Sequence, residues 1–206
     1  MHVSSRISCS LLIREKAPPK KEKTVDVIKA ITGRRSIRQY KGDPIEDGDL
    51  AEVLEAVRWA PSWANTQSWE IIIVKDPEAK RKLADTLPAG NPACSSFNEA
   101  PVVIVACARR GKAGYFKGAA VTDKGDWYMF DVALAMQNLT LAAYARGLGT
   151  VLVGFFDANK VAHLLNIPED VAVVAMTPLG YPDREAKPTP RKALHDFVSY
   201  DTFGCR

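Results

Sequence analysis

The sequence has no long hydrophobic run and few cysteines. No apolar stretch of its 206 residues approaches the roughly 18 that a membrane-spanning helix needs, so nothing in it indicates a membrane protein. The apolar stretch 7–13 is short and is followed at once by charged residues, which makes it a poor signal peptide. The cysteines lie far apart, without metal-binding spacing: Cys9, Cys94, Cys107 and Cys205. We therefore expect a reduced, cytoplasmic protein.

Excess charge of one sign is also missing outside the first residues. Six of the 28 Lys and Arg residues and two of the 24 Asp and Glu residues fall within residues 1–23, so the remaining chain is neutral. Nucleic-acid binding would need a basic face on the folded part, and this balance argues against it. Pro18 and Pro19, with lysines around them, predict a flexible basic tail over residues 1–23. The domain is then expected over residues 24–206.

The signatures of common nucleotide-binding and hydrolytic sites are absent. No G-x-G-x-x-G follows a strand, no P-loop occurs, and Ser62 has no G-x-S-x-G around it. The three histidines are widely separated, and no pair of carboxylates stands out. Each histidine is more simply a structural or exposed residue than a catalytic one. When a chain offers binding groups and no nucleophile, a cofactor usually carries the chemistry.

What the sequence does have is a cluster of arginines in the stretch 32–40 (TGRRSIRQY). Arg34, Arg35 and Arg38 fall within five residues, and the planar arginine side chain binds oxyanions in bidentate fashion. The cluster therefore suits a phosphate group. The alternative is a solvated basic turn, because short runs of charge are usually exposed.

The pattern around the arginines predicts how they are presented. Thr24 can cap a first helix, which Gly33 would end in the left-handed conformation. Alternation along an extended segment then predicts two sides, one with Ser36, Arg38 and Tyr40 and the other with Ile37 and Gln39.

Beyond this segment, hydrophobic periodicity predicts helices that alternate irregularly with buried strands. Helices are expected to begin at Asp47 or Asp49, at Asp76, at Asp126 and at Asp157, and Gly147 ends the longest of them. Strands are expected at residues 70–74, 101–107, 150–153 and 171–176. Strands separated by helices favour an α/β or α+β sandwich, and two helices before the first strand do not match doubly wound nucleotide folds.

Three further segments carry features of a binding site. The loop 61–69 (PSWANTQSW) holds amides, hydroxyls and two indoles, and Gly154 follows a strand where the backbone can approach a ligand. Residues 108–125 are rich in glycine and basic side chains, which predicts a mobile loop. That loop is either a solvated connection or a lid over a site.

Five motifs in order resemble the FMN-dependent nitroreductase superfamily. They are the RRSIR stretch at 34–38, the APS-x-x-N-x-Q-x-W pattern at 60–69, Asp131 through Asn138 to the GLG at 147–149, the IPED at 167–170, and the LGYP at 179–182 with PRK at 190–192. The resemblance covers residues 24 to 204. It implies an α+β fold, with a central, mostly antiparallel sheet flanked by helices, in a homodimer that exchanges C-terminal arms.

The resemblance also implies two FMN sites at the subunit interface. Arg34, Arg35, Ser36 and Arg38 would hold the phosphate and ribityl chain together with Arg191. Pro61, Ser62, Trp63, Asn65 and Gln67 would come from the partner subunit and face the flavin. The backbone at Leu152, Val153 and Gly154 would lie near the reactive N5 edge.

The implied activity is ping-pong hydride transfer through flavin N5 from NADH or NADPH to a small electron-poor acceptor, such as a nitroaromatic or a quinone. Trp63 is bulky where a small residue is expected, and Ser68 stands where proline is common, which suggests a narrower or aromatic-walled pocket. Ser36 stands where flavin-cleaving members that make dimethylbenzimidazole carry Asp, which disfavours that activity. A flavin carrier or sensor without catalysis, and an interaction module without flavin, are the remaining alternatives.

Overall fold

The computed structural model describes residues 25–206, so the basic tail at 1–23 and the capping role expected of Thr24 lie outside the described residues. The α-helices of this part are α1 (Val27–Gly33), α2 (Asp47–Arg58), α3 (Pro77–Ala84), α4 (Cys94–Glu99), α5 (Tyr128–Ala145) and α6 (Ala158–Leu164). The strands are β1 (Trp69–Val74), β2 (Val102–Arg109), β3 (Tyr115–Phe116), β4 (Ala119–Ala120), β5 (Gly149–Thr150) and β6 (Val171–Gly180).

The main sheet has four strands in the order β1-β2-β6-β5, and every pairing between neighbours is antiparallel. Along β2 the side chains alternate between two cores. Val102 and Ile104 pack with α2 and α5 on one face, whereas Val103 and Val105 pack with α3, α4 and α6 on the other. Helices therefore cover both faces of an antiparallel sheet, which confirms the expected α+β architecture.

Most predicted helix ends are confirmed by their local hydrogen bonds. Asp76 caps α3 by accepting from the Ala79 amide, and Asp157 caps α6 by accepting from the Lys160 amide. Gly147 follows α5 with φ of 75°, the left-handed conformation that ends a helix. Of the two openings proposed for α2, the helix begins at Asp47.

The role predicted for Gly33 is wrong. Gly33 keeps a negative φ as the last residue of α1, and the chain leaves the helix at Arg34. The helix is capped by Asp26, whose carboxylate accepts from the Lys29 amide. Gly33 lacks a side chain for another reason: a Cβ there would lie 2.3 Å from the hydroxyl oxygen of Tyr144.

Residues 108–125, predicted as a mobile loop, contain a short β-hairpin formed by β3 and β4. Lys117 and Gly118 join the strands, both with positive φ, as a two-residue type I′ turn requires. The Val121 amide donates to the Gly114 carbonyl at 2.9 Å, so the two chain segments stay hydrogen-bonded one residue beyond the paired strands.

The third predicted strand, 150–153, is shorter than expected. Only Gly149–Thr150 pairs as a strand, and Val153 adds a single bridge to Met176. The fourth predicted strand is longer, since β6 runs on to Gly180. Within residues 25–206, no helix is both long enough and apolar enough to span a membrane.

Candidate functional site

The arginine segment lies along the edge strand β5. Ser36 forms a parallel bridge with Thr150, and the Ile37 amide donates to the Thr150 carbonyl at 2.9 Å. Ile37 is buried against Gly149, where a Cβ would come within 2.6 Å of the Ile37 side chain. Gly149 therefore permits the close approach of the segment to the sheet.

The alternation predicted for this segment is wrong at its end. Tyr40 is buried like Ile37, whereas Arg38 is exposed, so the two-residue period breaks between residues 38 and 40. The Tyr40 hydroxyl donates to the Ile37 carbonyl at 2.7 Å and lies 3.3 Å from the Pro178 carbonyl. Burial raises the pKa of this hydroxyl well above its ordinary value, which keeps it protonated as a donor.

Helix α4 supports the same segment from the other side. The buried Ser96 hydroxyl donates to the Arg38 carbonyl at 2.8 Å, and the Glu99 carboxylate accepts from the Tyr40 amide at 3.2 Å. The backbone that carries the arginines is thus fixed by β5, by Tyr40 and by α4. A backbone held this firmly limits where the guanidinium groups can reach.

Two of the predicted arginines, Arg35 and Arg191, lie near enough to Arg34 for their charges to act on it. Burial lowers the pKa of Arg34, and the positive charges of Arg191 and Arg35 lower it further. Arg35 donates to the carbonyls of Thr32 and Arg34 at 2.7 and 2.8 Å. Among the residues that the structure describes, none of the three arginines forms an ion pair with a carboxylate. The three guanidinium groups give this region a net positive charge, and a phosphate is a suitable counter-charge.

A cavity of about 330 Å³ opens beside Arg34 and Arg35, whereas the exposed Arg191 is not among its lining residues. Arg34 and Arg35 line it at the end of α1, and Thr140 and Tyr144 line it from α5. The wall also contains Gly147, Leu148, Gly149, Thr150, Pro182, Arg184, Glu185, Ala186 and Pro188, so one carboxylate borders the cavity. Ser36 and Arg38 instead line a second cavity of about 310 Å³, together with Ser95 and Arg184. Ile37 and residues 184–186 lie between the two cavities and border both.

The loop that precedes β1 has an unusual backbone. Ala64, Asn65 and Gln67 all have positive φ, between 45° and 57°, although none of them is glycine. Such conformations cost roughly 1–2 kcal/mol for each L-residue. The Ser62 hydroxyl accepts from the Gln67 amide at 3.0 Å, and the Gln67 side-chain amide donates to Asn65 Oδ1 at 3.1 Å. These bonds bring the predicted flavin-facing amides of the loop side by side.

The fully buried carboxylate of Asp131 anchors this loop. It accepts from the Trp63 amide at 2.8 Å, from the Thr66 hydroxyl at 3.2 Å and from the Ser68 hydroxyl at 3.3 Å. Ser68, which departs from the family pattern, therefore has a partner in this chain. The anchoring role of Asp131 was not predicted, because its partners lie more than 60 residues away in sequence.

Residues 152–154, whose backbone was predicted to lie near the flavin, differ in exposure and in hydrogen bonding. Both backbone polar groups of Val153 pair with Met176, at 2.8 and 2.9 Å, and its side chain is buried. Leu152 and Gly154, on either side of Val153, are exposed. A Cβ on Gly154 would meet no described atom within 4 Å, and its φ is not positive, so the packing within this chain does not require glycine there.

The loop and the arginine cluster lie at opposite ends of α5. Asp131, in the first turn of α5, binds the loop, and Tyr144, near the last turn, lines the arginine cavity. Thirteen residues separate them, or roughly 20 Å along the helix axis at 1.5 Å per residue. Within one chain, the loop predicted to face the flavin and the arginines predicted to hold the phosphate are therefore kept apart at the two ends of this helix.

The β3–β4 hairpin attaches to the same end of α5 as the loop. The Trp127 indole packs on Gly114 and donates to the Thr122 hydroxyl at 2.7 Å. Its ring meets Phe130 edge-on, with 5.5 Å between the ring centroids. The hairpin and the loop are therefore neighbours through α5.

The sequence model described as "Nitroreductase family" matches residues 31–93 and 89–181 of this chain. The chain belongs to the nitroreductase family. The match covers the arginine segment, the 61–67 loop and the whole main sheet. It confirms the resemblance drawn from the five motifs, and the family's fold accounts for the antiparallel sheet with helices on both faces.

Similar proteins of this family carry different activity names. The chain is 33% identical over 193 residues to an FMN reductase [NAD(P)H] from Bacillus subtilis, with 85% of this chain and 74% of the relative covered. It is 30% identical over 175 residues to a 5,6-dimethylbenzimidazole synthase from Rhodospirillum rubrum, with 76% and 82% covered. An FMN-dependent nitroreductase from Clostridium difficile R20291 has a similar structure, with a TM-score of 0.71 and 25% identity over 85% of this chain and 99% of that one.

Proposed function

We propose that this nitroreductase-family chain is an FMN-dependent oxidoreductase that uses NADH or NADPH to reduce nitroaromatics, quinones or similar electron-poor acceptors. The observation that carries the proposal is the cavity lined by Arg34 and Arg35, with the positive charge of Arg191 close enough to act on Arg34. Relatives named for FMN and NAD(P)H support the choice of cofactor and donor.

The described residues fit the phosphate end of FMN. An FMN phosphate carries about two negative charges near neutral pH, and a guanidinium offers it paired, charge-assisted hydrogen bonds. Arg34 is half-buried, so its charge is poorly screened and gains from an anion nearby. Arg34 and Arg35 would hold the phosphate with Arg191, while Ser36 and Arg38, which line the neighbouring cavity, would contact the ribityl chain.

We propose that each FMN site is completed by a second copy of this chain. The 61–67 loop and the arginine cluster of one subunit lie at opposite ends of α5, roughly 20 Å apart along its axis, and this separation supports a loop supplied by the partner. The surface also carries apolar side chains that a monomer would leave in water: Val27, Ile28, Ile31, Leu194, Phe197 and Phe203. A homodimer with exchanged C-terminal arms would cover them and bring Pro61, Ser62, Trp63, Asn65 and Gln67 to the partner's flavin.

Bound FMN would supply the redox chemistry by taking up a hydride from NAD(P)H at N5 and giving electrons to the acceptor. The side chains of this protein bind and orient. Trp63 and the exposed Leu152 would provide apolar surface around the ring, and the unbranched backbone at Gly154 permits close approach. Residues 108–125 would cover the site as a lid, because their hairpin attaches beside the 61–67 loop.

A second candidate is the oxygen-dependent cleavage of reduced flavin to dimethylbenzimidazole. It is favoured by the similarity to a relative named for that synthesis. It is disfavoured by Ser36, since a hydroxyl stands where the resemblance places a carboxylate. A flavin carrier or sensor without turnover is the remaining alternative.

Steady-state kinetics with purified, FMN-loaded protein tests the proposal. We expect oxidation of NADH or NADPH that depends on an added nitroaromatic or quinone, with parallel double-reciprocal lines as donor and acceptor are varied. Chromatography of a parallel aerobic reaction with reduced FMN checks for dimethylbenzimidazole. Formation of dimethylbenzimidazole without acceptor reduction would favour the second candidate, and no turnover with either would favour the carrier.

A further inference from the structure

Asp131 differs from the other carboxylates at helix starts in this fold. Asp76, which is exposed, and Asp157, which is half-buried, are caps that accept hydrogen bonds from the amides of their own helices. Asp131 is fully buried in the first turn of α5, and its three described hydrogen bonds all come from the 62–68 region. Its carboxylate therefore serves a distant segment rather than the amides of its own helix.

The bonds to Asp131 fall at both ends of the strained part of the loop. The Trp63 amide lies just before Ala64 and Asn65, and the Thr66 and Ser68 hydroxyls flank Gln67. All three positive-φ residues thus lie between groups that the carboxylate fixes. Strained backbone persists only where its surroundings hold it in place, and here a single side chain provides much of that support.

The strained conformation also determines where the loop side chains are. Asn65 and Gln67 are exposed, and their amides are hydrogen-bonded to each other rather than to the protein core. Relaxation of Ala64, Asn65 or Gln67 to negative φ would redirect both amides. The Asp131 carboxylate contacts neither side-chain amide, yet it can therefore determine the position of both.

We propose that Asp131 is a positioning residue for the cofactor site: it holds the 61–67 loop in the strained form that presents Asn65 and Gln67 to FMN. The cofactor half of this proposal rests on the function proposed above. Asp131 would act on the flavin through the loop, and in the homodimer its effect would fall on the flavin of the partner subunit.

The test compares full-length Asp131→Ala with Asp131→Asn and with Asp76→Ala, a control that removes a helix-start carboxylate far from the loop. Hydrogen exchange of the cofactor-free proteins, followed by mass spectrometry, reports the opening of residues 61–69. Fluorescence titration with FMN reports affinity. Both measurements are made on each variant at the same number of degrees below its own melting temperature. A general loss of stability then affects all variants alike.

We expect Asp131→Ala to speed exchange in residues 61–69 by about tenfold or more and to weaken FMN binding by a similar factor. Asp131→Asn, which can still accept from the Trp63 amide, is expected to stay within about threefold of the wild type. Asp76→Ala should change neither readout. If Asp131→Ala fails to fold, Thr66→Val and Ser68→Ala remove the two hydroxyl donors instead, with smaller shifts in the same direction.

Exchange in residues 61–69 that is no faster in Asp131→Ala than in Asp76→Ala would overturn the proposal. Faster exchange with unchanged FMN affinity would overturn its cofactor half. A wild-type protein that binds no FMN would overturn the proposed function and that half with it, whereas the exchange experiment would still decide whether Asp131 holds the loop.

Discussion

The side chain of Tyr144 packs directly on the backbone of Gly33, so closely that a Cβ at residue 33 would come within 2.3 Å of the tyrosine hydroxyl oxygen. Both residues line the cavity beside the arginine cluster. The contact fixes the distance between α5 and the end of α1. Arg34 directly follows this end of the helix. Because Gly33 has no side chain, Tyr144 can pack close to it, and this packing helps to shape the proposed phosphate site.

The first prediction follows from this contact. Gly33→Ala is expected to lower the free energy of unfolding by about 1–3 kcal/mol through overpacking and to weaken FMN binding by displacing Tyr144. Gly48→Ala is the matched control, because a Cβ at this position of α2 meets open space. It should instead stabilise the protein by roughly 0.4–1 kcal/mol, because alanine restricts the unfolded chain more than glycine does.

Chemical denaturation of these variants gives both unfolding free energies. A double-mutant cycle with Tyr144→Ala isolates the contact, since the penalty of Gly33→Ala should shrink once the tyrosine ring is removed. An equal penalty in both backgrounds would show that the contact with Tyr144 is not the cause.

The second prediction concerns the arginine cluster. Arg34→Ala and Arg191→Ala are each expected to weaken FMN binding about tenfold to a hundredfold, because each removes charge-assisted hydrogen bonds to the phosphate. The absorption maxima of any flavin that still binds should be nearly unchanged. Arg81→Ala, which removes an exposed positive charge from α3, is the control and should leave affinity unchanged.

Equilibrium titration at two salt concentrations measures these effects. The wild type should lose affinity as salt screens the cluster, and Arg34→Ala should lose less. Wild-type affinity in both arginine variants would remove the phosphate assignment.

The third prediction concerns the assembly. Heterodimers are prepared with Arg34→Ala in one subunit and Asn65→Ala with Gln67→Ala in the other, each subunit carrying a different affinity tag. If each site combines the arginines of one subunit with the loop of its partner, one of the two sites is intact. We expect one FMN per heterodimer to bind with wild-type affinity. If both halves came from the same subunit, neither site would be intact and no tight binding would remain.

The fourth prediction concerns Cys107, which is fully buried in β2. Burial raises the pKa of its thiol to about 11. In the unfolded chain the thiol ionises near pH 8.5, so above that pH the unfolded state releases a proton that the folded state retains. Stability is therefore expected to fall between about pH 8.5 and 11, by up to roughly 3 kcal/mol from this group.

Urea denaturation of wild type and Cys107→Ala across this pH range separates the Cys107 contribution from other titrations. The difference in unfolding free energy between the two proteins should shift steadily in favour of the variant as pH rises. A difference that does not vary with pH would contradict the assignment. Iodoacetamide should also label exposed Cys205 in the native protein long before Cys107.

Features that depend on local sequence could be predicted well. The carboxylate caps at Asp76 and Asp157 and the left-handed Gly147 each depend on a few neighbouring residues, and each was placed correctly. Hydrophobic runs located β1 and β2 to within two residues of their observed ends. The order of these elements narrowed the fold class to α/β or α+β, and the family resemblance, drawn from motifs that occur in the same order along the chain, implied α+β.

Features that depend on distant contacts could not be predicted. Gly33 had the right neighbours for a left-handed helix end, but Tyr144 from another helix sets its role. Tyr40 broke the expected alternation because its hydroxyl finds the carbonyls of Ile37 and Pro178 in the interior. The strained 61–67 loop depends on Asp131, whose position beside it appears only after the chain has folded.

The most direct test of the central claim is an absorption spectrum from about 300 to 550 nm of the purified protein, after incubation with FMN and removal of unbound cofactor. It is recorded before and after anaerobic addition of NADH or NADPH. We expect paired flavin bands that bleach with either donor and return when a nitroaromatic or quinone is added. Flavin bands that persist with both donors would contradict an NAD(P)H oxidoreductase. A colourless protein that takes up no added FMN would contradict the flavin site itself.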